Sequence, residues 1–127
     1  LIVGNERAFL GWFYEGDHVL NKAAFTPAVI DEYLRTFSGK TGVLGSLGIY
    51  RAAFASIAQT EPLLTTKIKT PVIAMGGAKG LGGRVGEMVR LVAEQVDASV
   101  EPTSGRFLPE EAPDAVIRRI VAIASDH

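Results

Sequence analysis

Arg106 stands in the stretch Ser104-Gly105-Arg106-Phe107-Leu108-Pro109-Glu110-Glu111-Ala112-Pro113. A guanidinium stays protonated at physiological pH, so it cannot take a proton from water. Its planar fork can engage two oxygens of a carboxylate or phosphate. The plainer alternative places Arg106 on the surface or against Glu110 or Glu111, with no ligand. A glycine-rich run, Gly76 to Gly83, follows an apolar segment and precedes a helical one. Backbone N–H groups at such a junction can hold a phosphate. The run matches neither Gly-x-Gly-x-x-Gly nor Gly-x-x-x-x-Gly-Lys-(Ser/Thr), so a flexible loop is the expectation. His18 lies in a polar segment and His127 is terminal. Neither has a Ser or Asp partner at a recognisable spacing, and a metal site needs more ligands, so Asp17-His18 is expected to be solvated. Glu110-Glu111 precede a helix start, where carboxylates favour the helix dipole.

The elements that must position these groups fall into two halves. Residues 1 to 70 read as helical. Asn5 is a plausible N-cap for a helix carrying Phe9, Trp12 and Phe13 on one face. That stripe suits a core, or a surface that lies over another domain. Residues 16 to 25 read as a loop. Thr26-Pro27 opens a helix with Val29, Ile30, Tyr33, Leu34 and Phe37 at helical spacing. Residues 38 to 42 break it, and a further helix is expected from Val43 to Ala58, weakened by Gly45 and Gly48. Thr60-Glu61-Pro62 starts a short turn. Residues 71 to 127 read differently. Pro71 to Met75 suits a buried parallel strand, a helix with Met88, Val89, Leu91, Val92 and Val96 follows, Ala98 to Glu101 is a second strand, and Pro113-Asp114 opens a last helix. A right-handed crossover would make the two strands parallel.

Composition narrows the classes. The 127 residues are 47% hydrophobic and 21% charged, which suits a folded domain. A net charge of −1 gives no electrostatic case for nucleic acid or an anionic membrane. No apolar run approaches the roughly 20 residues of a membrane span. The chain has no cysteine, which excludes disulfides and thiolate metal sites and fits a cytoplasmic setting. No cofactor and no metal are expected. The first residue is Leu1 rather than Met, as in a processed chain or a piece of a longer one.

Four stretches together resemble the epoxide hydrolase kind of α/β-hydrolase. Leu1 to Leu10 is similar to the Gly-(Lys/Arg)-Glu-Arg-x-(Phe/Tyr)-Leu stretch of that family's helical cap, and Ile49-Tyr50-Arg51-Ala52 to the cap's Tyr-Arg-Ala signature. Thr70 to Gly77 resembles the penultimate core strand, and Ser104 to Pro113 the loop of the catalytic His. Order and spacing of all four agree with the family. The resemblance implies a helical cap segment (1–70) followed by the β-α-β-α end of an α/β-hydrolase core (71–127), helix-rich with a small parallel sheet.

The parent chemistry implied is hydrolysis through an Asp-ester intermediate, with His activating water. In that scheme Tyr50 donates a hydrogen bond to the substrate oxygen as the ring opens. Arg106 occupies the position of the catalytic His and is not expected to act as a base. The nucleophile turn and the His-Gly-x-Pro loop have no counterpart here. One family position for the orienting acid falls on Ala78, and the other would lie before Leu1. The chain alone is therefore expected to be inactive, a fragment or degenerate relative that could still take a small-molecule ligand. The alternative is a non-catalytic binding or assembly module. Its two strands make a poor sheet, so self-association or a missing N-terminal hydrolase core is the expected partner.

Overall fold

A computed structural model describes residues 1–125, and His127 lies outside the described residues. The chain divides into two units: Leu1–Gly16 with Lys22–Pro62, and Asp17–Asn21 with the chain from Leu63 onward.

The first unit is helical: α1 (Glu6–Tyr14), α2 (Pro27–Phe37), α3 (Gly39–Ser46), α4 (Gly48–Arg51) and α5 (Ala53–Thr60). Leu10, Phe37 and Val43 are its buried centre. Phe9 stacks on Phe37 at 5.6 Å between ring centroids, and Tyr14 stacks on Phe25 and Tyr33 at 4.8 and 5.0 Å. The aromatic stripe of α1 is thus divided. Phe9 and Phe13 are half-buried, whereas Trp12 is 69% exposed. Asn5 precedes α1 without a side-chain cap. Glu6 does the tying instead, accepting the N–H groups of Gly4 and Gly39, each at 3.0 Å. Backbone N–H groups of Glu6 itself, Gly4 and Gly39 hold its carboxyl below the ordinary value. Thr26 caps α2 as expected, its hydroxyl accepting from the Val29 N–H at 3.3 Å. The single helix expected over 43–58 is three short ones, interrupted at Leu47 and Ala52. Gly45 and Gly48 lower helix propensity there, and residues 49–62 are all exposed, so no packing compensates.

The second unit contains β1 (Val72–Gly77), α6 (Arg84–Val92), β2 (Val96–Glu101), α7 (Leu108–Glu111) and α8 (Pro113–Ser125). β1 and β2 pair in parallel, from Val72 opposite Val96 to Gly77 opposite Glu101. β2 begins two residues earlier than the sequence suggests. α6 stops at Val92 because Ala93 turns extended and bridges Ile68, so Val96 belongs to the strand. Asp97 of β2 pairs with Arg119 of α8. The fold is therefore helix-rich with a small parallel two-stranded sheet. No described helix is long and apolar enough to cross a membrane.

Two glycines set how closely the loops approach. A Cβ at Gly77 would lie 1.9 Å from the Gly105 carbonyl oxygen, and one at Gly105 would lie 1.9 Å from the His18 oxygen. Both obstacles are backbone and cannot swing away. Gly77→Ala is expected to destabilise the chain by about 1–3 kcal/mol or more, as overpacking does. Gly83 has ordinary helical dihedrals and open space around it, so Gly83→Ala should stay within about 0.5 kcal/mol. Parallel thermal melts of the two variants check this. Equal midpoints would contradict the close approach at Gly77.

Candidate functional site

The loop that carries Arg106 is held by a buried carboxylate. After β2 the chain turns through residues 102–107 into α7, a helix of a single turn. Glu111 ends that turn and is 3% exposed. Its carboxylate accepts four backbone N–H groups: Leu20 at 2.7 Å, Asn21 at 3.0 Å, Gly105 at 2.9 Å and Phe107 at 3.0 Å. The Asn21 amide donates to the Glu111 carbonyl at 2.9 Å. The Arg106 N–H donates to the His18 carbonyl at 3.0 Å. The segment 17–21 and the loop 104–107 are thereby locked together through main-chain atoms. Burial pushes the Glu111 carboxyl up, but the N–H groups of Asn21, Phe107, Gly105 and Leu20 outweigh it. The group stays below its ordinary 4.5.

This changes the reading of Glu110-Glu111. They close the single turn of α7 and stand just ahead of α8, which opens at Pro113 and has Asp114 in its first turn. Glu111 is a loop anchor. Nothing in its sequence context marks this role, because two of its donors lie about 90 residues away.

A cavity of about 540 Å³ opens beside the anchored loop. His18, Lys79 and Arg106 line it, with Met75, Gly77 and Leu108. The expectation of a solvated Asp17-His18 pair holds for Asp17, which is exposed, and in part for His18. Its backbone bond to Arg106 draws the residue in, the ring is half-buried, and it lies 6.3 Å from that of Phe107. Arg106 is exposed, and the Lys79 ammonium lies 3.5 Å from the Asp17 carbonyl. The glycine-rich run is not an amide cradle. Gly76 and Gly77 belong to β1, and the N–H groups of Ala78, Lys79, Gly80 and Gly82 donate to Glu101, Ser104 and Gly77 carbonyls. No carboxylate, hydroxyl or thiol nucleophile lines the cavity: its described lining holds no Asp, Glu, Ser, Thr or Cys. Among the described residues no group of three or more His, Cys, Asp or Glu gathers as a metal site would require.

Tyr50 belongs to the other unit. It lies on the four-residue α4 and is 63% exposed, its N–H donating to Leu47 at 3.2 Å. Ile49, Phe54 and Ile57 beside it are 71%, 85% and 63% exposed. The structure thus groups His18 and Lys79 with Arg106 and sets Tyr50 in the helical unit.

Known proteins show what this arrangement is related to. No family model matches the chain. A soluble epoxide hydrolase from Corynebacterium sp. (strain C12) is 30% identical over 101 residues, which is 80% of this chain and 35% of that protein. Cfl2 from Burkholderia cenocepacia superposes with a TM-score of 0.86 at 36% identity over 96% of this chain and 42% of its own. The epoxide hydrolase CorEH superposes with a TM-score of 0.85 at 27% identity, over 95% of this chain and 43% of its own. A Nostoc sp. PCC 7120 protein assigned as an α/β-hydrolase gives 0.81 at 32% identity. The chain spans well under half the length of these relatives. It is related to the epoxide hydrolase-like α/β-hydrolases.

The Glu111 anchor has a pH signature. The unfolded carboxyl titrates near 4.5 and the folded one below it, so the unfolded chain holds more protons in between. The stabilisation is complete above the unfolded value and is lost as pH falls through the folded one. Glu6, Glu32 and Glu101 are shifted the same way, so the difference between wild type and Glu111→Gln isolates this group. Glu111→Gln should melt lower at neutral pH and lose part of the acid dependence. Glu111→Ala should cost about 2–5 kcal/mol, because a buried donor left unmatched costs roughly 1–3 kcal/mol and, of the four, the Gly105 N–H is buried while water can reach the part-buried Leu20, Asn21 and Phe107 N–H groups. Identical acid profiles for wild type and Glu111→Gln would contradict the anchor.

Proposed function

We propose that this relative of the epoxide hydrolase-like α/β-hydrolases contributes a substrate-binding wall and does not hydrolyse epoxides by itself. In this reading residues 1–70 form a cap segment, residues 71–127 are the C-terminal part of a hydrolase core, and the chain works in the cytoplasm. Tyr50 would present its hydroxyl to a substrate oxygen, and Arg106 would stand where the family's base stands without acting as one. One observation carries the reading: the cavity beside Arg106 has no side chain able to form an ester intermediate. His18 supplies an imidazole to that cavity, but a base without a nucleophile has no intermediate to cleave.

The purified chain should leave styrene oxide-type epoxides and simple aryl esters unhydrolysed above background. Arg106→His should not create activity. Turnover that survives repurification and disappears in Tyr50→Phe would overturn the proposal.

A second reading is favoured by the apolar surface. Trp12 is 69% exposed, and Ile117, Ile120 and Val121 of α8 are 55%, 60% and 57% exposed. Burying such a side chain is worth roughly 1.5–3 kcal/mol, so exposed apolar faces of this kind, one in each unit, draw partners. The partner would be a second copy of the chain or a missing N-terminal hydrolase core. In isolation the chain is expected to run as a homodimer or larger in light scattering, and Trp12→Glu is expected to dissociate or unfold it. A monodisperse monomer with a cooperative melt would remove the self-association reading.

A further inference from the structure

We propose that the cavity bounded by His18, Lys79 and Arg106 binds an organic anion, a carboxylate carried on a short hydrocarbon tail. The charge distribution points there. The chain as a whole has a net charge of −1, yet the cavity lining contains a lysine, an arginine and an imidazole with no acidic side chain. The positive charge is local to this concavity and is not part of a generally basic surface. The nearest buried carboxylate, Glu111, is matched by four backbone N–H groups.

The shape of the ligand follows from the remaining lining. Met75, Leu81, Val85 and Leu108 give the cavity an apolar wall, and about 540 Å³ lies within the range of small-molecule sites. A guanidinium fork suits the two oxygens of a carboxylate, and an ammonium adds a point charge. The N–H groups of Ala78, Lys79, Gly80 and Gly82 are engaged with carbonyl groups, so the case for recognition rests on these side chains. The inference rests on Arg106 not acting as a base, but it is tested by binding without turnover. A chain that hydrolyses epoxides and a chain that binds no anion would therefore fail in separate experiments.

The test titrates the isotopically labelled full chain with hexanoate, hexan-1-ol and inorganic phosphate at low salt, by amide NMR and calorimetry. Hexanoate should shift the Gly77, Gly80 and Gly105 amides saturably. Arg106→Gln and Lys79→Gln should each weaken it about tenfold, and hexanol should bind at least about tenfold less tightly. Both side chains are solvent-exposed, and a thermal melt of each variant checks that the fold persists. Arg106→Lys should keep part of the affinity, because it keeps the charge but loses the fork. The proposal is overturned if hexanoate leaves those amides unmoved, or binds the double Arg106→Gln, Lys79→Gln variant as well as wild type. It is overturned equally if hexanol matches hexanoate, or if phosphate binds more tightly than hexanoate.

Discussion

The second unit depends on a single carboxylate placed where four main-chain N–H groups converge. A buried anion is unfavourable unless it is matched by hydrogen bonds, and Glu111 is matched by the amides of Leu20, Asn21, Gly105 and Phe107. This joins two segments that no regular secondary structure connects. The glycines follow from the same constraint. Drawing 17–21 onto 104–107, and 104–107 onto the end of β1, leaves no room for a Cβ at Gly105 or Gly77. Glu6 performs a smaller version of this in the helical unit, bridging Gly4 and Gly39 at the surface.

An anchor built from main-chain bonds separates the geometry of the loop from the chemistry of what it displays. The bonds to Glu111 come from residues 105 and 107, and the N–H of residue 106 goes to the His18 carbonyl. None of them depends on which side chain stands at 106. A histidine there would move a proton; an arginine there holds a charge. The loop can exchange one capability for the other while its backbone stays in place. Lys79 on the adjoining turn brings a second positive charge to the same cavity.

Much of this was legible in the residues, for identifiable reasons. The apolar run before Gly76, the Thr26-Pro27 cap and the Pro113 helix start are local signals, and local signals read well. The parallel pairing followed from the strand-helix-strand order. What stayed hidden depends on contacts distant in sequence. His18 lies in a loop as expected, but its place beside Arg106 stayed hidden because the link is a backbone bond across the unit. Glu111 looked like a dipole partner because two of its four donors, Leu20 and Asn21, lie far from it in the chain. The glycine-rich run suggested mobility or phosphate binding, whereas Gly77 in particular serves close backbone packing. The interruptions at Leu47 and Ala52 were foreshadowed by nearby glycines, but where the breaks fall depends on a surface that the described residues leave uncovered.

That uncovered surface has a thermodynamic consequence. The helical unit draws its packing from α1, α2 and α3, around Leu10, Phe37 and Val43. α4 and α5 bury no residue, yet they carry Ile49, Tyr50, Phe54 and Ile57. Helices this short are marginal in water unless an apolar face is covered. The region bearing Tyr50 is therefore the part of the unit least held by its own contacts. A tyrosine hydroxyl stabilises a developing charge well only when its helix is rigidly supported. Whatever covers Ile49, Phe54 and Ile57 would fix the position of Tyr50 at the same time. The order of this segment and the role proposed for Tyr50 thus depend on one surface, whereas the Arg106 loop carries its support within its own unit.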